Sequence, residues 1–66
     1  MTFIVTALLC KQISCAVVGW HAVNAPPMYC AAGFWQLDMQ RHADAAALLA
    51  QGFTVMRADC TEEAKA

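Results

Sequence analysis

Four cysteines and two histidines are the side chains of this sequence best suited to chemistry: Cys10, Cys15, Cys30, Cys60, His21 and His42. Structural zinc sites use such ligands in pairs with a C-x₂₋₄-C spacing. Only Cys10 and Cys15, with four residues between them, fit that spacing, at its outer limit, and no second pair completes a site. We therefore predict no metal and no cofactor. If a metal does bind, Cys10 and Cys15 are its candidate ligands.

The oxidation state of the thiols depends on the compartment in which the protein resides. An even number of cysteines in a short chain permits two disulfides, with three connectivities. The apolar stretch TFIVTALLC, however, precedes the first positive side chain, Lys11, whereas a secretory signal has its positive residues before the apolar run. The sequence therefore predicts a cytoplasmic protein with four reduced thiols. Without a C-x-x-C motif it predicts no catalytic residue, and both histidines are interpreted as structural.

The charge pattern argues against nucleic-acid and membrane partners. The net charge is -1, and the basic residues do not cluster in sequence as they do in nucleic-acid-binding proteins. The apolar segment from Phe3 to Val23 is interrupted by Lys11 and Gln12. A charge at the centre of a spanning helix costs at least about 2.5–3.5 kcal/mol, so we predict neither a membrane nor a nucleic-acid partner.

Three or four strands and a helix are predicted to position these residues. Residues 2–10 and 14–23 are rich in β-branched and apolar residues and are predicted to form two strands. Lys11 and Gln12 do not favour the positive φ of a tight hairpin turn, so a looser connection is expected. Residues 24–33, with two adjacent prolines, are predicted to form a loop anchored by Met28 and Tyr29.

The second half of the chain contains one ambiguous segment and one clear unit. Residues 35–40 alternate between apolar and polar, which favours a strand, although a 4-3-4-3-4 spacing beginning at Trp35 also fits a helix. Residues 43–51 are rich in alanine and leucine and are predicted to be helical. Gly52 is predicted to end this helix with a positive φ, before a strand that starts at Phe53.

Together these elements predict an α+β fold. The expected architecture is a small antiparallel or mixed sheet of three to four strands, with one short helix packed on one face. Residues 1–60 would form a single domain, and residues 61–66, TEEAKA, a polar and disordered tail.

The mismatch between one helix and two apolar sheet faces leads to a functional hypothesis. One short helix covers only one face, and a large exposed apolar patch usually marks an interaction site. We therefore predict a non-enzymatic protein–protein interaction module, an adaptor or inhibitor that docks on a larger protein or forms a homodimer. The predicted interaction residues are aromatic or small apolar ones: Trp20, Val18, Ala16, Trp35 and Tyr29.

Three alternatives stay open at this point, one of them a small membrane protein. Trp20 could instead be the centre of the monomer core, with residues 24–33 folded over the second face of the sheet. The chain could also be a small cysteine-based domain linked to a metal or to redox chemistry.

Overall fold

The computed structural model describes residues 1–63 and contains three strands and two helices. In chain order they are β1 (Phe3–Lys11), β2 (Ser14–Ala22), α1 (Phe34–Arg41), α2 (Ala43–Ala50) and β3 (Thr54–Glu62). The strands form one antiparallel sheet in the order β2-β1-β3. The predicted α+β class with a three-stranded sheet is confirmed, and two short helices take the place of the single helix expected.

A two-residue turn joins β1 to β2, where a looser connection was predicted. Lys11 pairs with Ser14, so the two strands remain in register up to the turn itself. Gln12 adopts a φ of 55°, a left-handed conformation that is uncommon for a residue with a Cβ atom. Cys10 and Cys15, the facing residues next to the Lys11–Ser14 pair, are joined by a disulfide. It ties the two strands together beside a turn whose own residues do not favour tight turning.

Alternation along the strands separates a covered face of the sheet from an open face. The side chains of β1 that point to the helices are at most 5% exposed: Phe3, Val5, Ala7 and Leu9. On the opposite side, Ile4 and Leu8 are only half-buried and Val17 is 67% exposed. Within residues 1–63, no helix or strand lies over this open face.

The segment predicted as a fourth strand, residues 35–40, is helical, so that prediction was wrong. Trp35 and Met39 lie four residues apart and both pack toward the sheet, whereas Leu37 between them is 53% exposed. Their shared face therefore repeats every 3.6 residues and not every two. The competing helical spacing identified the correct structure, but His42, with φ −74° and ψ 122°, divides it into two helices.

The end of α2 follows the prediction closely. Gly52 has a φ of 94°, as expected for a glycine just past a helix. Its N–H donates to the carbonyl of Leu49 at 3.1 Å, and the N–H of Phe53 donates to the carbonyl of Leu48 at 3.1 Å. These two bonds form a Schellman motif, which satisfies carbonyls that the helix end would otherwise leave free.

The remaining connections differ from expectation in detail. Residues 24–33 form the predicted loop, and Tyr29 anchors it at 3% exposure, whereas Met28 is 64% exposed and contributes no anchor. β3 continues through Thr61 and Glu62, which were expected to begin the polar tail. The tail prediction for residues 64–66 lies outside the described residues.

Among the helices of residues 1–63, none is long and apolar enough to cross a membrane.

Candidate functional site

The five predicted interaction residues all belong to the helix-covered side of the sheet. Val18 and Tyr29 are buried in the two core clusters, and Trp20 and Trp35, each half-buried, pack against both of them. Ala16 is half-buried beside Leu9, its partner on β1. Val18 and Tyr29 therefore contribute to the monomer core and do not present a surface. That these residues contact a partner stays a prediction.

Tyr29 connects three parts of the chain through its hydroxyl group. The hydroxyl accepts a hydrogen bond from Trp20 Nε1 at 3.2 Å and donates one to Asp38 Oδ2 at 2.6 Å. Its ring also stacks on Phe3, with ring centroids 5.4 Å apart. Burial raises the pKa of Tyr29, and the hydrogen bond to Asp38 raises it further, so the phenol is neutral at physiological pH. The network links β2, the 24–33 loop and α1.

A groove of about 460 Å³ lies beside this network, between the end of β2 and α1. Its rim carries three large apolar side chains with substantial exposure: Val23 at 66%, Phe34 at 43% and Leu37 at 53%. Asp38 and Arg41 supply charge along the same side of α1. We refer to this feature as the β2–α1 groove.

The hydrogen-bond ladder determines which backbone groups of β2 point away from the sheet. In an antiparallel pair, every second residue bonds to its neighbour, and the residues between them direct their N–H and C=O outward. Glu63 N–H donates to the carbonyl of Thr2 at 2.8 Å. The backbone N–H and C=O groups of the even-numbered residues of β1 therefore point toward β3. The odd-numbered residues of β1 therefore bond to β2, where their partners are even-numbered.

Four residues of β2 consequently offer their N–H and C=O to the outside of the sheet. They are the odd-numbered ones, Cys15, Val17, Gly19 and His21, and all four are exposed. No strand among the described residues pairs with this side of β2, because β2 is at the end of the sheet order. We call these backbone groups the outer edge of β2.

The two edges of the sheet differ in their protection against further pairing. β3 carries a bulge at Met56, because Leu8 pairs with Arg57 and Leu9 with Val55. It also carries an exposed ion pair, in which Arg57 Nε lies 3.5 Å from Asp59 Oδ2. Bulges and charged side chains are the usual devices that prevent an edge strand from pairing with another chain.

β2 has none of those devices along its nine residues, SCAVVGWHA. It contains no proline, lysine, arginine or carboxylate, and its pairing with β1 runs without a bulge from Ser14 to Ala22. A long, regular and uncharged edge strand is a template for pairing with another strand. Sequence reasoning missed this feature, although the uncharged run from Ser14 to Ala22 was its visible signal.

The prediction of reduced thiols was wrong, because the four cysteines form two disulfides. Cys10 bonds to Cys15 across the β1–β2 hairpin, and Cys30 bonds to Cys60, joining the 24–33 loop to β3. A disulfide-bonded sulfur is not available as a thiolate ligand. Cys10 and Cys15, the candidate metal ligands predicted from their spacing, are therefore not free to bind a metal. Residues 1–63 hold no cluster of three or more potential metal ligands.

The two histidines have different surroundings. His42 lies at the junction of α1 and α2, with its ring 5.4 Å from that of Trp20 and its Nδ1 buried without a hydrogen-bond partner. His21 is exposed and lines the β2–α1 groove. The fold therefore places neither histidine in a catalytic arrangement with a free cysteine.

No protein-family model, curated protein or solved structure matches this chain.

Proposed function

We propose that this chain is a small non-enzymatic protein-interaction module, an adaptor or inhibitor, that docks through the outer edge of β2. The observation that carries the proposal is the contrast between the two sheet edges. β3 has a bulge and charged side chains, whereas β2 offers four exposed residues with outward N–H and C=O groups and no charge.

Pairing with an edge strand is an established mode of protein recognition. The backbone hydrogen bonds of the added strand supply affinity, and the alternating side chains beside it supply specificity. In this chain the β2–α1 groove lies directly next to the end of β2. Its exposed Val23, Phe34 and Leu37 provide the apolar contacts that a docked strand needs in addition to its backbone bonds.

The polar groups near the groove support a structural role and not a catalytic one. Tyr29, whose pKa is raised by burial, holds its proton and orients Asp38 through a 2.6 Å hydrogen bond. A general base at neutral pH needs a pKa near that pH, which Tyr29 does not have. The network therefore serves to fix α1 against the end of β2, and so to shape the groove.

Capture of partners with matched edge variants tests this proposal. In Val17→Pro the ring removes an outward N–H of β2 and leaves the pairs with β1 intact, since proline is tolerated at such positions of edge strands. Glu62→Pro is the matched control, because Glu62 pairs with Phe3 and directs its N–H outward from the other edge. Wild type, Val17→Pro and Glu62→Pro are immobilised and exposed to lysate from the cells that make the chain.

The expected result is a protein, or the chain itself, that wild type and Glu62→Pro retain and Val17→Pro loses. The interaction is then reconstituted with purified components. Equal retention by all three forms, or no retention and no self-association of the wild type, would contradict the proposal.

A second candidate function is thiol–disulfide exchange at the β1–β2 hairpin. The observation in its favour is that Cys15 is exposed while its partner Cys10 is half-buried. A thiolate of a partner protein would attack Cys15 Sγ and form a mixed disulfide, and Cys10 would leave as the thiolate. Exchange predicts a mixed disulfide between Cys15 and a partner thiol that the Cys10→Ala/Cys15→Ala double variant cannot form, and a wild type that forms none under non-reducing conditions would exclude this second function.

The disulfides also bear on localisation. Disulfides persist in oxidising compartments and are rare in the cytoplasm. We therefore propose that the module works in oxidising surroundings, in place of the cytoplasmic location that the sequence suggested.

A further inference from the structure

The outer edge of β2 is complementary to a second copy of itself. We propose that two copies of this chain pair antiparallel through their β2 strands, centred on Val18, so that their two three-stranded sheets become one continuous sheet. This inference rests on the proposed function, because it names the occupant of the same edge.

The direction of the backbone groups restricts how two β2 strands can pair. Hydrogen bonds form only where outward-directed residues of both strands face each other. A two-fold axis at Val18 places Val17 opposite Gly19 of the second copy and Cys15 opposite His21. All nine residues of Ser14–Ala22 then have a partner. The four outward residues of each strand would exchange about eight hydrogen bonds in total, two for each facing pair.

Shifted registers give either mismatched backbone groups or fewer paired residues. A shift by one residue places outward-directed groups opposite inward-directed ones and also moves the open-face side chains to the covered face. A shift by two residues keeps the alternation but leaves two residues of each nine-residue strand without a partner. The register centred on Val18 is therefore the one with the longest ladder.

Side-chain sizes agree with the same register. On the covered face, Ala16 would lie opposite Trp20, and on the open face Val17 would lie opposite Gly19, so that each large side chain meets a small neighbour. A Cβ at Gly19 would be crowded in its own chain, since it would lie 3.3 Å from the carbonyl oxygen of Val5. β2 carries no lysine, arginine or carboxylate, so no like charges meet across the axis.

The register also accounts for two exposed apolar residues outside the ladder. Just past Ser14, it brings the turn residue Ile13 of the second copy near Val23, the first residue after β2. Ile13 is 99% exposed and Val23 is 66% exposed, and Val23 lines the β2–α1 groove together with Phe34 and Leu37. Stable interfaces bury about 600–1,000 Å² on each partner, more than a single ladder supplies. The turn of one copy seated at the groove of the other provides the missing contact.

Sedimentation across a micromolar-to-millimolar range tests the pairing. The wild type and the control Glu62→Pro are expected to reach twice the monomer mass with the same dissociation constant. Val17→Pro removes two hydrogen bonds per dimer, one from each copy, and is expected to raise that constant about 30-fold or more. Circular dichroism of the dilute variants confirms that each remains folded. A wild type that stays monomeric throughout, or equal effects of the two prolines, would overturn the inference.

The register has its own test by nuclear magnetic resonance of a mixture of labelled and unlabelled chains. Within one strand, Ala16 and Trp20 lie about 13 Å apart, at about 3.3 Å per residue. A close contact between their α-hydrogens can therefore arise only between two copies, and the register centred on Val18 predicts it. A dimer without this contact pairs in another way and overturns the inference.

Ile13→Asp tests the contact between turn and groove without touching the ladder. Because Ile13 is 99% exposed, the monomer should keep its stability, while the dissociation constant should rise about 10-fold. An unchanged constant would overturn the groove contact.

Failure of self-pairing is distinguishable from failure of the proposed function. A monomeric protein that still captures another partner in a Val17-dependent manner overturns only the self-pairing, and loss of both overturns the proposed function as well.

Discussion

At the scale of single residues, Tyr29 is the best reporter that the chain contains. It is the only tyrosine, so its phenolate absorbance can be followed without interference from others. Its pKa is raised first by burial and then by the hydrogen bond to Asp38. The folded protein should therefore keep this proton at a pH where the unfolded chain, with the ordinary value of 10.0, has begun to release it.

The raised pKa gives a stability prediction with a definite sign. A group with a raised folded-state pKa contributes stability that is complete below its unfolded pKa and is lost as the pH rises through the folded-state pKa. The free energy of unfolding should thus fall as the pH rises above about 10. Denaturant titrations across that range measure this fall, and Tyr29→Phe should reduce it. A phenol that titrates at its ordinary pKa in the folded protein would contradict the buried position.

Gly52 supports a second prediction at the same scale. A Cβ at this position would meet only the Lys11 side chain, at 3.7 Å, so crowding does not restrict substitution. The φ of 94° does, because a β-branched residue is strained there. Gly52→Val should lower the free energy of unfolding by more than about 1 kcal/mol. Asn tolerates the left-handed region better, and Gly52→Asn should cost less. Equal losses from the two variants would argue against backbone strain as the cause.

These two residues show what a sequence can and cannot reveal. The role of Gly52 depends on its neighbours in the chain, a helix-forming run before it and a strand after it, so local reasoning located it. The anchoring role of Tyr29 was expected from the same kind of reasoning. Its hydrogen bonds to Trp20 and Asp38, however, join residues that are each nine positions away on different elements, and they depend on how those elements pack.

At the scale of elements, the two disulfides have different stabilising effects. Cys10–Cys15 closes a loop with a sequence separation of five, across strands that already pair. Cys30–Cys60 has a separation of 30 and attaches the loop before α1 to β3. The chain-entropy estimate gives about 2 kcal/mol for the first and about 3.5–4 kcal/mol for the second.

Alanine replacement of each pair tests that difference. Cys30→Ala/Cys60→Ala should lower the free energy of unfolding by about 2–5 kcal/mol. This is a large fraction of what a core of this size supplies. Cys10→Ala/Cys15→Ala should cost about 2 kcal/mol or less. Chemical denaturation measures both, each matched to the wild type under the same conditions. A larger loss from the hairpin pair would mean that Gln12, at φ 55°, needs the disulfide to form the turn.

The wrong prediction for residues 35–40 and the missed disulfide each have a physical cause. Trp35, Leu37 and Met39 alternate with polar residues, and alternation alone cannot exclude a helix over so short a span. Packing against the covered face of the sheet favours the helix, because it buries Trp35 and Met39, which lie four residues apart, on one side. Cys10 and Cys15 are equidistant from the centre of the turn, between Gln12 and Ile13. Had a tight hairpin been predicted there, the two cysteines would have been expected to face each other and to form a disulfide.

At the scale of the whole molecule, the small core makes the disulfides part of the fold. Among the described residues, nine apolar side chains are buried. Cores of chains below about 70–80 residues rarely supply more than 3–5 kcal/mol, so staples of this kind are a common requirement. The alanine-rich composition already indicates a small core, and disulfides were not expected because no positive residue precedes the first apolar run, as it would in a secretory signal.

The oxidation state of the purified protein is the final prediction. Alkylation of the denatured chain without reductant should add no label, because all four sulfurs are bonded in pairs. After reduction, four labels should be added, and the intact mass reports both counts. Reductant should also unfold the protein at a temperature where the oxidised form is folded, since both loop constraints are then lost. Four labels without reductant would show free thiols, and the fold would then have to be stable without either staple. That outcome would restore the cytoplasmic location and remove the structural reason for an oxidising one.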